Sequence, residues 1–197
     1  MADEREARRA ALRRVAGLLK RTGLPFALAG SYGLWAHGAP ESAHDVDFVI
    51  AEEHTEQIAA DLAAAGLEIV RPPEDWLLKV PTDGVTVDLL HRLARRPATV
   101  EMLARSHVFE VLSVEMPVLD ATDLLSSKLG ALTEHFCDFA PLLAAARAVR
   151  EQVDWARVRA ELADHDFAVA FLFLADRLGI TDRAAAAITS SVPGWPC

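Results

Sequence analysis

The segment Asp45-Val46-Asp47-Phe48-Val49-Ile50 is a run of apolar and β-branched residues interrupted by only two acids. This composition predicts a buried β-strand. Because side chains alternate across a strand, Asp45 and Asp47 should point to one face, with Val46 and Phe48 on the other. Two neighbouring carboxylates repel each other, and burying either is costly without a compensating positive charge. We therefore expect a positive group beside this strand.

A second acidic strand is predicted over residues 85–90, where Asp88 lies opposite the apolar face of Val85, Val87 and Leu89. It can pair as a hairpin with residues 76–80, because the intervening Asp83-Gly84 is a turn signal. If the two acidic strands are neighbours, three carboxylates converge on one spot. Hard divalent cations such as magnesium bind oxygen ligands of this kind. Taken singly, each acid fits a solvated strand end equally well; taken together, they predict a metal site.

Gly30-Ser31 joins a short buried strand, residues 26–29, to a helix predicted over residues 32–37. The first backbone N–H groups of a helix have no partner within it and form an anion site. Glycine lets a phosphate approach the backbone, and the serine hydroxyl adds a hydrogen bond. Many strand-to-helix turns contain these residues, so the position just ahead of the acidic strand gives the signal its value.

The remaining pattern predicts an α/β (α+β) fold with a mixed, partly antiparallel sheet flanked by helices and followed by a C-terminal helical region. We expect a catalytic domain over residues 1–118 and a helical domain over residues 119–197. No linker rich in Gly or Ser separates them, so they should pack together. The predicted helices are 4–21, 55–65, 99–105, 121–149, 154–164, 167–178 and 181–189, and further strands are predicted at 67–70 and 108–119.

Composition excludes several classes of protein. The chain has 197 residues, 52% of them hydrophobic, and a formal net charge of −9. That charge repels nucleic acid overall, although arginines crowd the first helix. The two cysteines, Cys137 and Cys197, give neither a disulfide framework nor a metal-ligand spacing. No apolar run predicts a membrane span or a signal segment, so we expect no membrane partner and a cytoplasmic location.

In order along the chain, Ala29-Gly30-Ser31, Asp45-Val46-Asp47-Phe48 and Val87-Asp88-Leu89-Leu90 resemble the signature of the polymerase-β-type nucleotidyltransferase superfamily. The closest resemblance is to small bacterial proteins that include lincosamide and aminoglycoside nucleotidyltransferases and AbiEii-type toxins. A lysine on a later helix, in Asp123-Leu124-Leu125-Ser126-Ser127-Lys128-Leu129, also resembles those proteins. The likeness covers most of the chain.

The resemblance implies a metal-dependent transfer of a nucleoside monophosphate from an NTP, such as ATP, to an acceptor, with release of pyrophosphate. Asp45 and Asp47 would hold two Mg²⁺ ions, and Asp88 would bind the catalytic metal and help deprotonate the acceptor. Gly30 and Ser31 would grip the terminal phosphates. The acceptor would be a small hydroxylated molecule, RNA or protein, and a homodimer stays open.

Three further residues are candidates for nucleotide binding. Lys79 lies in an apolar strand and could reach the triphosphate, although a surface lysine with an apolar stem fits equally well. Lys128 either walls the cleft or is a solvated helix lysine. His44 adjoins the acidic strand and could contact phosphate, whereas an exposed loop histidine is the simpler alternative.

One departure from the family favours a different function. Relatives carry Arg and Thr shortly before the two acids, whereas this chain has Glu41-Ser42-Ala43-His44. The alternative is a degenerate fold that acts as a binding or regulatory module, such as a toxin–antitoxin component. A third hypothesis is a nucleic-acid-binding protein that uses its arginine-rich first helix.

Overall fold

The computed structural model describes residues 2–41, 45–94 and 96–181. Its main sheet contains strands β1 (Phe26–Leu28), β2 (Val46–Ile50), β3 (Leu77–Thr82), β4 (Val85–Leu90), β7 (His107–Val111) and β8 (Val114–Val118). Their spatial order is β3-β4-β2-β1-β8-β7, in which β2–β4 and β1–β8 are parallel and the other pairs antiparallel. The short strands β5 (Arg92–Leu93) and β6 (Arg96–Pro97) form a separate pair. The mixed sheet confirms the predicted fold class.

Helices cover both faces of the sheet, which divides the core into two apolar clusters. The helices are α1 (Ala2–Thr22), α2 (Gly30–Ala36), α3 (Thr55–Ala64), α4 (Val100–Leu103), α5 (Ala121–Gly130), α6 (Phe139–Val149), α7 (Trp155–Glu161) and α8 (Asp166–Arg177). Residues of α1 and α3 pack against Val46, Phe48 and Val87 on one face. Residues of α5 to α8 share the other cluster with Ala27 and Val49. The acids of β2 and β4 lie on this second face, because they alternate with the residues of the first.

Two hairpins turn through left-handed backbone, and the sequence predicts only one of them. Asp83 and Gly84 join β3 to β4 with φ of 53° and 78°, as an Asp-Gly turn requires. Leu112 and Ser113, with φ of 53° and 63°, turn β7 back into β8. The prediction of one strand over residues 108–119 is therefore wrong. Leucine and serine are unusual in such a turn, so the pattern of residue types did not reveal it.

Two other predicted elements differ from the structure. Residues 67–70 form no strand, and Val70 makes a single bridge to Lys79. The helix predicted over residues 121–149 is divided into α5 and α6. The second helix starts anew because the Asp138 carboxylate accepts a hydrogen bond from the Ala140 N–H and caps it. The helix predicted over residues 181–189 lies almost wholly outside the described residues.

The C-terminal helices pack directly on the sheet domain. The apolar cluster that contains Ala27 and Val49 continues into Leu125, Ala146 and Phe171 without interruption. At Gly33 of α2, an added Cβ would press on the Leu124 side chain of α5, so these two helices are closely apposed. The boundary between residues 118 and 119 stays a prediction. None of the described helices combines the length and the hydropathy needed to cross a membrane.

Candidate active site

Asp47 and Asp88 lie side by side on adjacent parallel strands. The register pairs Asp47 of β2 with Asp88 of β4, so both side chains project from the same face of the sheet. Flanking pairs on the opposite face, Val46 with Val87 and Phe48 with Leu89, are fully buried. The apolar pairs fix the register, because a slip of one residue would bring the carboxylates into the core.

Gly30, the first residue of α2, lies against the Asp47 carboxylate. Its φ of 58° is left-handed, and a Cβ added there would overlap the Asp47 Oδ2 atom. The Ala29 N–H donates to the Asp47 carbonyl oxygen at 2.8 Å, which ties the start of α2 to β2. Glycine is therefore required at this position by the backbone conformation and by the close approach of the acid. Ser31 follows as the second residue of α2 and is partly exposed.

The electrostatics of this face disfavour negative charge. Burial raises the pKa of Asp47 to about 6, with Asp88 and Asp45 adding repulsion and Lys128 and Lys79 opposing the rise. Burial also raises the pKa of Asp88, against the lowering effect of Lys79. A raised carboxylate pKa means that the folded protein binds a proton there more tightly than the unfolded chain does. The site therefore has an unmet demand for positive charge.

Two lysines from different elements face these acids. Lys79 of β3 pairs in register with Asp88, and its ammonium donates to Asp88 Oδ1 at 3.3 Å and to Oδ2 at 3.4 Å. Lys128 belongs to α5, which packs on the same face of the sheet. Burial lowers the pKa of Lys128, and the attraction of Asp47 acts against that lowering. The structure thus brings together Gly30, Asp47, Lys79, Asp88 and Lys128.

The family model for aminoglycoside-2''-adenylyltransferases matches residues 11–89, a segment that starts in α1 and ends directly after Asp88. A crystal structure of ANT(2'')-Ia in complex with adenylyl-2''-tobramycin superposes with a TM-score of 0.56 at 10% identity, covering 84% of this chain and 97% of that one. The solution structure of the same antibiotic-resistance factor gives 0.55 at 12% identity, with coverage of 89% and 99%. Residues 11–89 therefore resemble the aminoglycoside-2''-adenylyltransferase family, and the chain shares the fold of these ANT(2'')-Ia structures.

A further neighbour among solved structures is the lincosamide antibiotic adenylyltransferase LnuA with bound lincomycin, at a TM-score of 0.49 and 14% identity, covering 68% of this chain and 93% of that one. No protein of curated function is similar to the chain in sequence. The two ANT(2'')-Ia structures, at 10% and 12% identity, establish the nucleotidyltransferase fold. The shared length shows that the likeness extends beyond the two acidic strands into the C-terminal helices.

Asp45 is the third of the candidate acids. It precedes β2 directly and is exposed to solvent. Within residues 2–41, 45–94 and 96–181, no three His, Cys, Asp or Glu side chains are arranged to hold a metal ion. The carboxylate oxygens suit Mg²⁺, which would supply the charge that the buried acids lack. The metal roles of the three aspartates stay a prediction.

Glu41, the first residue of the Glu41–His44 stretch, is held by two arginines of α1. Arg9 donates to Glu41 Oε1 from Nε at 3.0 Å and from Nη2 at 2.6 Å, and Arg5 binds both carboxylate oxygens. The sequence shows the Arg5–Arg9 spacing of four residues, which puts them on one helix face, but contains no signal for a partner 32 residues away. The guanidinium groups of Arg5 and Arg9 therefore lie at Glu41, four residues before Asp45 in the sequence. His44 lies outside the described residues.

His37 fixes the far end of the helix that starts at Gly30. Its buried ring bonds to the Leu119 carbonyl oxygen through Nε2 at 2.9 Å and to Gln152 Oε1 through Nδ1 at 2.7 Å. Gln152 returns a bond from Nε2 to the His37 carbonyl oxygen at 2.9 Å. These contacts anchor α2 to the junction of β8 and α5 and to the C-terminal helices. The helix that presents Gly30 and the helix that presents Lys128 are thus braced against each other.

Proposed function

We propose that this chain is a magnesium-dependent nucleotidyltransferase that moves a nucleoside monophosphate from an NTP to a hydroxyl group of a small-molecule acceptor. The observation that carries the proposal is the in-register pair Asp47–Asp88, set against Gly30 and faced by Lys79 and Lys128. A purely structural role would match two buried acids with direct partners. Here burial keeps the pKa of both acids raised despite Lys79 and Lys128, and bound Mg²⁺ would supply the missing positive charge.

The nucleotide would bind between α2 and α5. Gly30 and Ser31 present the backbone N–H groups of a helix start, and the Ser31 hydroxyl adds a donor for the terminal phosphates. Lys128 and Lys79 neutralise phosphate charge from opposite sides of the cleft, and we assign His44 a phosphate contact as well. Asp45, Asp47 and Asp88 would hold two Mg²⁺ ions, whose chemistry is to clamp the attacking and leaving oxygens of an in-line displacement.

Asp88 would accept the proton of the acceptor hydroxyl as that oxygen attacks the α-phosphorus. One oxygen–phosphorus bond forms to the acceptor, and the bond to the β-phosphate oxygen breaks to release pyrophosphate. Burial favours this role, because a raised pKa makes Asp88 a better proton acceptor than an exposed aspartate. The partly exposed Lys79 is free to move from Asp88 to phosphate when the nucleotide binds. Most of the rate enhancement would come from positioning and charge neutralisation.

The acceptor we favour is a cationic, hydroxylated molecule of the aminoglycoside type. The net charge of −9 attracts cations and repels RNA. Four of the six arginines of α1, Arg5, Arg9, Arg13 and Arg14, form ion pairs within the protein, which reduces the positive charge that this helix offers to RNA. Since NTPs are cytoplasmic, we place the reaction in the cytoplasm.

The decisive test is transfer of label from α-³²P-NTPs to a panel of aminoglycosides, lincosamides and RNA, with Mg²⁺ or with EDTA. We expect incorporation into a small acceptor that needs Mg²⁺ and disappears in an Asp45→Asn/Asp47→Asn double variant. An Asp61→Asn variant on the exposed face of α3 is the matched control. Incorporation unaffected by the double change or by EDTA would contradict the assigned roles.

A second candidate is a nucleotide-binding regulatory module without transfer activity. The observation in its favour is the contact of Lys79 with both oxygens of Asp88, which blocks the proposed base. This candidate predicts that Mg²⁺ and an NTP raise the melting temperature while no acceptor in the panel is labelled. The transferase predicts the same rise in melting temperature, since any ligand that binds only the folded state stabilises it, but together with labelling of an acceptor.

A further inference from the structure

A cavity of about 290 Å³ lies on the side of α5 away from the carboxylate strands. Its walls come from the β5–β6 hairpin, α4, α5 and the α7–α8 junction. Lys128 faces Asp47 from α5, whereas Ser126, Ser127 and Gly130 of the same helix line the cavity. At 3.6 residues per turn, these positions fall on a different side of the helix from Lys128. The cavity is therefore separate from the proposed active site.

The charged groups of the inner wall neutralise one another. The Asp123 carboxylate, 4% exposed, accepts bonds from Arg105 Nε at 3.1 Å and Nη2 at 2.9 Å, and also from Arg157. Arg157 Nε in turn donates to Glu161 Oε1 at 2.9 Å. These charge-assisted bonds leave the inner wall without a free charge for an ionic ligand. The lining also contains Arg96 and Asp164, which carry opposite charges.

Neutral polar groups remain uncommitted inside the cavity. The Ser126 side chain is buried, at 8% exposure, and its Oγ has no hydrogen-bond partner among the described residues. His165 Nδ1 accepts from the Ala168 N–H at 3.3 Å, so the neutral ring carries its proton on Nε2 and can donate from there. A buried hydroxyl without a partner is costly, and a ligand that bonds to it recovers that cost. Leu93, Met102 and Leu162 add apolar wall.

We infer that this cavity is a binding site for a neutral, hydroxylated molecule of about monosaccharide size, held by Ser126, Ser127 and His165. The volume lies at the small end of ligand pockets, which suits a single ring. Hydroxyl groups match the uncommitted donors and acceptors, and the apolar wall matches a ring face. This inference goes beyond the proposed function, because the site needs neither a metal nor an NTP.

Binding can be tested on the full chain by amide NMR, with assigned Ser126 and Ser127 resonances and no NTP or metal. Glucose, glucosamine and glucose 6-phosphate share one ring and differ in charge. We expect saturable shifts at Ser126 and Ser127 with glucose, and at least roughly fivefold weaker binding of the two charged sugars. Tighter binding of either charged sugar overturns the neutral class. Absence of a saturable shift with all three overturns the site.

Variants separate the cavity from other surfaces. Ser126→Ala should weaken glucose binding roughly five- to tenfold, the effect of one lost hydrogen bond. Ser126→Leu should abolish it by filling the space. Thr133→Ala, which removes an exposed hydroxyl shortly beyond the same helix, should leave glucose binding unchanged.

If the Ser126 variants lose their dispersed spectra, Ser127→Ala serves as the second test. Full binding by the Ser126→Ala and Ser127→Ala proteins would refute the assignment. The Asp45→Asn/Asp47→Asn protein should bind glucose normally, so this result is independent of transferase activity.

Discussion

Two largely buried aspartates of this protein, Asp47 and Asp123, lie in opposite electrostatic surroundings. Asp123 of α5 is bound directly by the guanidinium groups of Arg105 and Arg157. Asp47 of β2 has the charges of Lys128 and Lys79 nearby, but burial and two neighbouring acids outweigh them and raise its pKa to about 6. The fold supplies the charged Asp123 carboxylate with direct partners. It does not stabilise the charged form of Asp47.

The difference separates a structural acid from a functional one. A buried charge with complete partners joins elements together, and here Asp123 links α5 to α7 and to the segment after α4. A buried charge without them lowers stability unless a ligand completes the site, which is typical of active sites. The comparison therefore predicts that the same substitution, aspartate to asparagine, has opposite consequences at the two positions.

The largest expected effect is on catalysis at the carboxylate pair. Asp47→Asn or Asp88→Asn should each lower kcat/KM for nucleotidyl transfer by on the order of 10³, because each removes charge that acts directly on the reacting groups. Asp123→Asn, assayed where it is folded, should change kcat/KM less than tenfold. Initial rates of labelled product give both numbers. Comparable losses at Asp47 and Asp123 would remove the distinction drawn above.

The next largest effect is on stability, where the order reverses. Asp123→Asn should lower the free energy of unfolding by about 3 kcal/mol or more, because it removes the buried carboxylate that joins Arg105 and Arg157. Asp47→Asn should leave the metal-free protein as stable as the parent or more stable, by up to about 3 kcal/mol at neutral pH. Urea denaturation in EDTA measures both. A strongly destabilised Asp47→Asn protein would mean that this acid is structural after all.

The sequence predicts the strands that carry the acid pair, but it does not predict one hairpin turn or the ion pairs between distant segments. Local patterns predicted β2, β4 and the Asp83-Gly84 hairpin, and with them the neighbouring Asp47 and Asp88. They did not predict the turn at Leu112-Ser113, since those residue types rarely form one. Contacts between distant segments, such as Arg9 with Glu41 or Arg157 with Asp123, leave no local periodicity. They depend on tertiary packing, which a single sequence does not display.

The pH dependence of stability should reveal the raised pKa of Asp47. The folded-state pKa of Asp47 is about 6, above its ordinary value of 3.8, so the folded protein binds the extra proton between these values. The stability that Asp47 contributes is thus fully present below about pH 4 and is lost as pH rises through 6. Wild-type protein in EDTA should lose about 3 kcal/mol over this window relative to Asp47→Asn. Parallel urea curves for the two proteins from pH 4 to 7.5 would contradict this.

Lys128 allows the finest comparison, because it changes the surroundings of Asp47 without altering the acid. Lys128→Gln removes the cation that does most to lower the pKa of Asp47, so that pKa should rise further. The variant should need a higher pH to bind Mg²⁺, since the metal competes with the proton for the same oxygens. It should also bind Mg-ATP roughly tenfold more weakly, about 1.4 kcal/mol, through loss of one phosphate-facing charge.

Calorimetric titrations at pH 6 and pH 8 separate the two effects of Lys128→Gln. The deficit in Mg²⁺ binding should shrink at pH 8, and the deficit in nucleotide binding should persist. Lys20→Gln, at an exposed lysine of α1 that bonds the Glu115 carbonyl oxygen, should alter neither.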